Sequence, residues 1–153
     1  MRLEFVKAFI NSTTEILGDL LDSEVCVRSM TMQAHPAADR EVITIIGLMG
    51  EVQGDVIIDI DQATARQLGG HLIGEEADGM TPLVKSSIAE MASMAIGHAI
   101  SQINDNGTRL TMTPPNIFTD SNPVSDKSFE TLVAPITTPY GEVRISVAIQ
   151  DLN

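Results

Sequence analysis

Apolar residues recur with a helical period in two long segments, residues 3–22 and 82–103. In the first segment the apolar side chains fall within one arc, at about 100° per residue, and the polar side chains fall opposite. The second segment begins with Thr81-Pro82, an N-cap hydroxyl followed by proline at the first helical position, and it ends at the Asn106-Gly107 turn. The pattern therefore predicts two long amphipathic helices.

Runs rich in valine, isoleucine and threonine, bounded by turn residues, are typical of strands. Six such runs are present, at residues 24–32, 41–48, 51–60, 109–113, 128–136 and 142–150. Met49-Gly50 joins the second and third tightly, as in a hairpin, and a β-turn over residues 138–141 joins the last two. Asp61 can cap a short extra helix over residues 62–73.

A weak internal repeat relates the two halves of the chain. The segment Gly50-Glu51-Val52, with Val56 and Ile58, matches Gly141-Glu142-Val143, with Val147 and Ile149, at the same internal spacing. Each copy follows another β-rich run and, further upstream, a long helix; the alternative explanation is chance similarity between two valine-rich strands. We expect an α+β fold, with two long antiparallel helices packed on one face of a largely antiparallel sheet of about six strands.

Length and charge narrow the class of protein. A chain of 153 residues fits one domain, spanning residues 1–153. Nine Lys and Arg residues stand against 21 Asp and Glu residues, for a net charge of −12. Nucleic acid and anionic membranes are poor partners for such a surface, because phosphate binding depends on Lys and Arg.

The compartment expected from the sequence is the cytoplasm. No apolar run reaches the ~18 residues that a membrane span requires. Glu4 and Lys7 stand where a signal peptide would need an unbroken apolar run.

The cysteine and histidine residues do not indicate a metal site. His35, His71 and His98 are scattered over a loop and two helices without the spacing of paired ligands, so we expect no metal site. The single cysteine, Cys26, has valines on both sides in a predicted strand, and we expect a buried, inert thiol.

The second long helix has two contrasting faces. A broad apolar face contains Leu83, Val84, Ile88, Met91, Ala92, Ala95, Ile96, Ala99 and Ile103. Nearly opposite, within about 60° of one another, are four residues that we call the serine–glutamate stripe: Ser86, Glu90, Ser93 and Gly97.

The stripe has two interpretations. A solvated face is where a helix normally keeps serine and glutamate. However, a solvated face on so acidic a protein usually carries several long charged residues, whereas this one has only Glu90. Gly97 also costs about 1 kcal/mol of helix stability relative to alanine. Small residues around one charge would let another protein approach the helix backbone, and Met94, which borders the stripe, could pack against that protein.

The spacing of these residues resembles a known family. Ser86-x3-Glu90-x2-Ser93-Met94-x2-Gly97, followed by Thr113-Pro114-Pro115, resembles the signature of the CheC/CheX/FliY family of chemotaxis phosphatases, in which Asp or Ser is followed by Glu, Asn and, further on, Pro. Glycines 47, 50 and 54 resemble that family's glycine pattern too. One such motif in a short chain is most similar to the CheX branch.

The resemblance implies a function and a partner. Family members hydrolyse the aspartyl phosphate of a CheY-type response regulator. By resemblance, Glu90 would form a salt bridge to the regulator's active-site lysine, and residue 93 would orient the attacking water. Ser86, Met94 and Gly97 would contact the regulator. The Mg²⁺ and the scissile bond belong to the partner, so the resemblance implies no cofactor held by this chain.

One position departs from the family pattern. The family's water-orienting residue is Asn, whereas this chain has Ser93, which is about two atoms shorter and lacks the planar amide. Two functions therefore stay open: a phosphatase with weakened activity, and a non-catalytic module that binds a response regulator or a flagellar-switch partner. The first helix has a partial counterpart, Asn11-x3-Glu15-x2-Gly18, with glycine where Asn is needed.

The resemblance also implies a homodimer. CheX relatives dimerise through sheet edges, and an exposed edge strand is a template for pairing with a second copy. Pro135 limits pairing along one stretch, because it has no N–H to donate.

Overall fold

The computed structural model describes residues 2–123 and 130–151 of the chain. These residues form three helices, α1 (Leu3–Leu21), α2 (Gln62–Ile73) and α3 (Pro82–Asp105). They also form eight strands: β1 (Cys26–Val27), β2 (Thr31–Gln33), β3 (Val42–Gly50), β4 (Val52–Ile60), β5 (Leu110–Met112), β6 (Asn116–Phe118), β7 (Thr131–Thr138) and β8 (Gly141–Asp151). The first two residues of the strand expected at 128–136 lie outside the described residues.

All of these strands belong to one antiparallel sheet. Its order is β1-β7-β8-β4-β3-β5, with β2 also paired to β7 and β6 also paired to β3. The short strands that follow α1 thus pair with β7, from the second half of the chain, whereas those that follow α3 pair with β3, from the first half. The α+β class and the antiparallel sheet are confirmed.

The number of strands differs from that expected, since the described residues contain eight strands rather than six, and a third, short helix accompanies the two long ones. The strand expected at 24–32 is divided opposite Pro135. Val27 pairs with Ile136 and Thr31 pairs with Val133, so three residues of the edge oppose two of β7, as in a β-bulge. Arg28 N–H donates to the Pro135 carbonyl at 3.1 Å, but Pro135 has no N–H to donate in return.

The second additional strand is β6. The prolines at 114 and 115 end β5, as expected, but the chain resumes pairing on β3 immediately afterwards, with Asn116 opposite Ile45. The third helix, α2, matches the short helix expected over 62–73. Its N-cap, Asp61, accepts a hydrogen bond from the Thr64 N–H at 3.0 Å.

One hydrophobic core joins the helices to one face of the sheet. α1 packs on β7 and β8, α3 packs on β3, β5 and β6, and the two helices pack against each other. The Ser12 hydroxyl donates to the Ala95 carbonyl at 2.7 Å, which links α1 to α3 inside the core. The largest fully buried side chains include Phe9, Ile10, Leu17, Ile88, Met91 and Ile96. The long helices are therefore held rigidly against each other and the sheet.

The opposite face of the sheet is covered in part by the loop before β3. Ala38 packs there against Ile43 and Ile57. Arg144 on β8 forms ion pairs with Asp59, which is fully buried, and with Asp39, whose side chain is 82% exposed. The hydrogen bond from Arg144 lowers the pKa of Asp39, and the Asp59 carboxylate raises that of Arg144. These contacts fasten the loop to the sheet.

Cys26 is exposed, so the expectation of a buried thiol was wrong. Successive side chains of a strand point to opposite sides. Val25 and Val27 pack against the core, which places Cys26 on the outside of a two-residue edge strand.

None of the helices in the described residues is long and apolar enough to cross a membrane. Within the same ranges, His, Cys, Asp and Glu side chains do not come together in groups of three or more that could hold a metal ion.

Candidate functional site

Helix α3 presents the serine–glutamate stripe away from the core. Its N-cap, Thr81, accepts a hydrogen bond from the Val84 N–H at 3.2 Å, and Pro82 occupies the first turn, as expected. The side of the helix packed into the protein contains Val84, Ile88, Met91, Ala92, Ala95, Ile96, Ala99, Ile100 and Ile103. Because that side is fixed in the core, the rotation of α3 about its axis is fixed, and so is the direction of the stripe.

The residues proposed from the sequence lie on one accessible surface of α3. Ser86, Glu90 and Met94 are exposed, and Ser93 and Gly97 are half-buried. Among the residues that the structure describes, Glu90 forms no hydrogen bond and no ion pair. The stripe therefore offers a carboxylate without an internal partner, with a serine hydroxyl about one turn further along the helix.

Gly97 is not required by the fold. A Cβ atom added there would meet no atom within 4 Å. Other glycines of this chain have clear structural causes: a Cβ at Gly54 would lie 1.9 Å from the Ala148 carbonyl oxygen, and one at Gly50, whose φ is +125°, would lie 2.1 Å from that of Arg109. Gly97 instead leaves the helix backbone open at one end of the stripe.

The glycine pattern and the Thr-Pro-Pro segment of the motif meet in the structure. The Thr113 hydroxyl accepts from the Gly47 N–H at 2.8 Å, and the Thr113 N–H donates to the Gly47 carbonyl at 2.9 Å. Gly47 leaves room for this side chain, because a Cβ there would lie 3.1 Å from the Thr113 methyl group. The two hydrogen bonds hold Pro114 and Pro115 at the end of β5, in the region of the sheet on which α3 packs.

Helix α1 supplies the neighbouring surface. The Glu15 carboxylate lies 3.9 Å from His98 Nε2 on α3, and this nitrogen has no hydrogen-bond partner among the described residues. Glu15 and Gly18, the partial counterpart of the motif, line an open groove with acidic side chains, among them Asp19 and Asp22. The counterpart on α1 thus differs in charge from the stripe on α3, which has a single carboxylate.

The prediction that Leu83 belongs to the buried face of α3 is wrong. Its side chain is 56% exposed, whereas that of the adjacent Val84 is fully buried. At about 100° per residue, Leu83 lies only about 20° around the helix from Glu90. The angle around the helix was therefore the signal that could have placed Leu83 beside the stripe. The apolar character of Leu83 wrongly indicated burial.

The comparison with protein families agrees with the motif. The family model described as "Chemotaxis phosphatase CheX" matches residues 42–137, well over half of the chain and all of α3. The chain belongs to the CheX family. The membership in the CheC/CheX/FliY family that the sequence predicted, close to CheX, is thereby confirmed.

Individual relatives with known sequences or structures are also similar to this chain. The CheY-P phosphatase CheX of Thermotoga maritima is 25% identical over 118 residues, which cover 76% of each chain. The structure is similar to that of a CheX–CheY–BeF3–Mg²⁺ complex from Borrelia burgdorferi, with a TM-score of 0.78, 26% identity, and coverage of 98% of this chain and 100% of that one. A CheC-like superfamily protein from Shewanella sp. PV-4 has the same fold, with a TM-score of 0.85, 19% identity, and coverage of 98% and 99%.

Proposed function

We propose that this chain dephosphorylates the aspartyl phosphate of a CheY-type response regulator in chemotaxis signalling, with an activity weakened by Ser93. The observation that carries the proposal is the exposed, unpartnered carboxylate of Glu90, with the Ser93 hydroxyl three residues along, on a rigidly held helix of a CheX-family protein. The partner is supported by the CheX–CheY complex to which the structure is similar. Both proteins would then act in the cytoplasm.

Glu90 would anchor the regulator. The regulator's active-site lysine, which the family resemblance assigns to Glu90, would replace water around the carboxylate. Because Glu90 forms no ion pair among the described residues, docking would not have to break an internal one first. This contact fixes the position of the helix along the regulator and so directs residue 93 to the phosphoryl group.

Ser93 would position water. Its hydroxyl can both donate and accept a hydrogen bond, which is what an attacking water in line with the leaving carboxylate requires. The regulator's Mg²⁺ neutralises charge that develops on the phosphoryl oxygens. The phosphatase need supply only orientation, and a residue on a helix whose other side is packed in the core can supply it without moving.

A non-catalytic binding module is the second candidate, and Ser93 is the observation that favours it. A serine reaches less far from the helix than the family's asparagine. If the hydroxyl does not reach the attacking water, the same surface would still bind the regulator, or a flagellar-switch partner, without hydrolysing its phosphate.

We also propose a homodimer. Strand β2 lies at an edge of the sheet, all three of its residues are exposed, and Met30 and Met32 are 38% and 45% exposed. An edge with unpaired backbone groups and apolar side chains is suited to pairing with a second copy. A dimeric mass by light scattering at about 20–50 μM is expected, and a monomeric mass would contradict the dimer.

The test of function mixes this protein with the cognate regulator, phosphorylated by a small phosphodonor, and follows the decay of the aspartyl phosphate. Binding is measured in parallel by calorimetry on the regulator activated with beryllofluoride. Binding with faster decay than that of the regulator alone supports the phosphatase. Binding with an unchanged decay rate would leave only the binding module. The absence of both binding and accelerated decay would contradict both proposed functions.

A further inference from the structure

Two large apolar side chains stand exposed on either side of Glu90. Leu83 is 56% exposed and Met94 is 42% exposed. Both belong to α3, whose length and rotation are fixed by its packed side. Single exposed apolar residues are common, so what distinguishes Leu83 and Met94 is their position on both sides of the one carboxylate of the stripe.

The geometry of a helix places these side chains in one row. Leu83 precedes Glu90 by seven residues, or roughly 10 Å along the axis, and Met94 follows it by about 6 Å. All three lie within about 40° around the helix. The carboxylate is therefore bordered along the axis by apolar groups, one toward each end of α3.

Helix α1 lacks this arrangement, although it keeps the glutamate. When Glu15 is aligned with Glu90, Ala8 stands in the place of Leu83 and Asp19 in the place of Met94. Both helices thus carry a carboxylate at equivalent places, but large exposed apolar side chains stand at these two flanking positions on α3 and not on α1. The apolar pair is consequently a property of the α3 surface and not of the fold.

We propose that Leu83 is an apolar contact residue for the response regulator and that, together with Met94, which the sequence already places at that contact, it excludes water from both sides of the ion pair made by Glu90. The inference rests on the proposed function, from which it takes the partner. The partner surface it requires has a cation opposite Glu90 and apolar groups about 10 Å to one side and 6 Å to the other. Apolar contacts that exclude water lower the local dielectric constant, and a charged pair then attracts more strongly than it does in solvent.

The experiment uses Leu83→Ser and Met94→Ser, with Met49→Ser as the matched control. Met49 is 49% exposed, but it lies on β3 next to Leu48, which is in the core, so its side chain points to the sheet face opposite the helices. Leu83 is exposed in the first turn of α3, so its replacement by serine removes no side chain from the core. Binding to the beryllofluoride-activated regulator is measured by calorimetry at low and moderate salt, and folding by thermal unfolding.

Each of the two variants on α3 is expected to raise Kd about tenfold. Their binding is expected to weaken more steeply with salt than that of the parent, because their ion pair is less shielded from water. The Met49 variant is expected to bind as the parent does. A parent that binds, together with α3 variants of unchanged Kd and salt dependence, would overturn this inference and leave the proposed function standing. A parent that does not bind would overturn both.

Discussion

Val56 and Val147 are register partners at the centre of the antiparallel pair β4 and β8, and they are also equivalent positions of the sequence repeat. On either side, Ile58 pairs with Ile145 and Gly54 pairs with Ile149. In the repeat, Ile58 corresponds to Ile149 and Gly54 corresponds to Ile145. Replacing each residue by its repeat equivalent therefore turns the Ile58–Ile145 pair into the Ile149–Gly54 pair. The sheet therefore has an approximate two-fold axis through the Val56–Val147 pair.

This axis relates the two long helices and explains why one motif occurs in two versions. The α1 version ends in Gly18 and is surrounded by acidic side chains, whereas the α3 version keeps a hydroxyl at Ser93 and has apolar neighbours. The protein thus contains its own control for a substitution of Glu90, since Glu15 occupies the equivalent place in the same fold.

Glu90→Ala should weaken binding to the activated regulator by about 2–5 kcal/mol, the usual cost of losing one partner of a desolvated interfacial ion pair. Thermal stability should be nearly unchanged, because Glu90 is exposed and has no ion-pair partner among the described residues. The matched variant is Glu15→Ala, which should bind as the parent does. Calorimetry that shows equal losses for both variants would contradict a specific role for the α3 surface.

Gly97→Ala should separate stability from binding. The new methyl group enters open space, and alanine favours a helix by about 1 kcal/mol over glycine, so the free energy of unfolding should rise. If a partner approaches the backbone at Gly97, the same methyl group should weaken its binding. Urea unfolding and calorimetry on one preparation test both effects, and a more stable variant with unchanged affinity would remove Gly97 from the interface.

The two ion pairs of Arg144, on the sheet face opposite the helices, should contribute unequally to stability. Arg144→Met leaves the fully buried Asp59 unpaired and should cost about 3–5 kcal/mol of stability at neutral pH. Asp39→Asn removes a partner that is 82% exposed and should cost less than about 1 kcal/mol. Combining Arg144→Met with Asp59→Leu should restore most of the loss. Urea unfolding of the parent and these three variants checks this order.

The ion pair between Arg144 and Asp39 should depend on pH. Arg144 lowers the pKa of Asp39, so this pair stabilises the fold above the carboxyl group's ordinary pKa and its contribution is lost on acidification. The small difference in stability between Asp39→Asn and the parent should therefore disappear between neutral pH and about pH 3, and urea unfolding at each pH checks this trend.

Local signals predicted the elements whose ends are set locally. Asp61 caps α2 as expected, because its carboxylate accepts a hydrogen bond from a backbone N–H of the adjacent first turn. β6 was missed, since three residues after two prolines have no periodicity of their own and pair only because β3 is already there. The division of β1 from β2 likewise depends on Pro135, a residue far away in the chain.

The candidate site was predictable for a related reason. Ser86, Glu90, Ser93 and Gly97 lie on one helix, so helical spacing alone brings them together. The contact between Glu15 and His98, and the hydrogen bonds between Gly47 and Thr113, join elements distant in sequence and required the tertiary structure. Leu83 shows the limit of hydropathy as a guide to burial. Its apolar side chain indicated the buried face of α3, whereas its angle around the helix indicated the exposed face, and the angle was correct.

Ser93→Asn addresses the position at which this chain departs from its family. If the chain is a weakened phosphatase, the amide should reach the attacking water and increase the rate of regulator dephosphorylation. Each tenfold gain corresponds to about 1.4 kcal/mol of transition-state stabilisation, which one well-placed hydrogen bond can supply. Ser93 is half-buried on an outward face, and serine and asparagine have similar helix propensities, so folding should change little.

The control is Ser93→Ala, and the three rates together decide between the two functions. Acceleration by Asn, with a slower Ala variant, would show that the hydroxyl already positions water and that an amide does so better. Loss of activity in Ala without a gain in Asn would show that serine has its own geometry in this protein. Equal decay in all three, at the rate of the regulator alone and with binding intact, would exclude catalysis at this position, because no side chain there would then affect the attacking water.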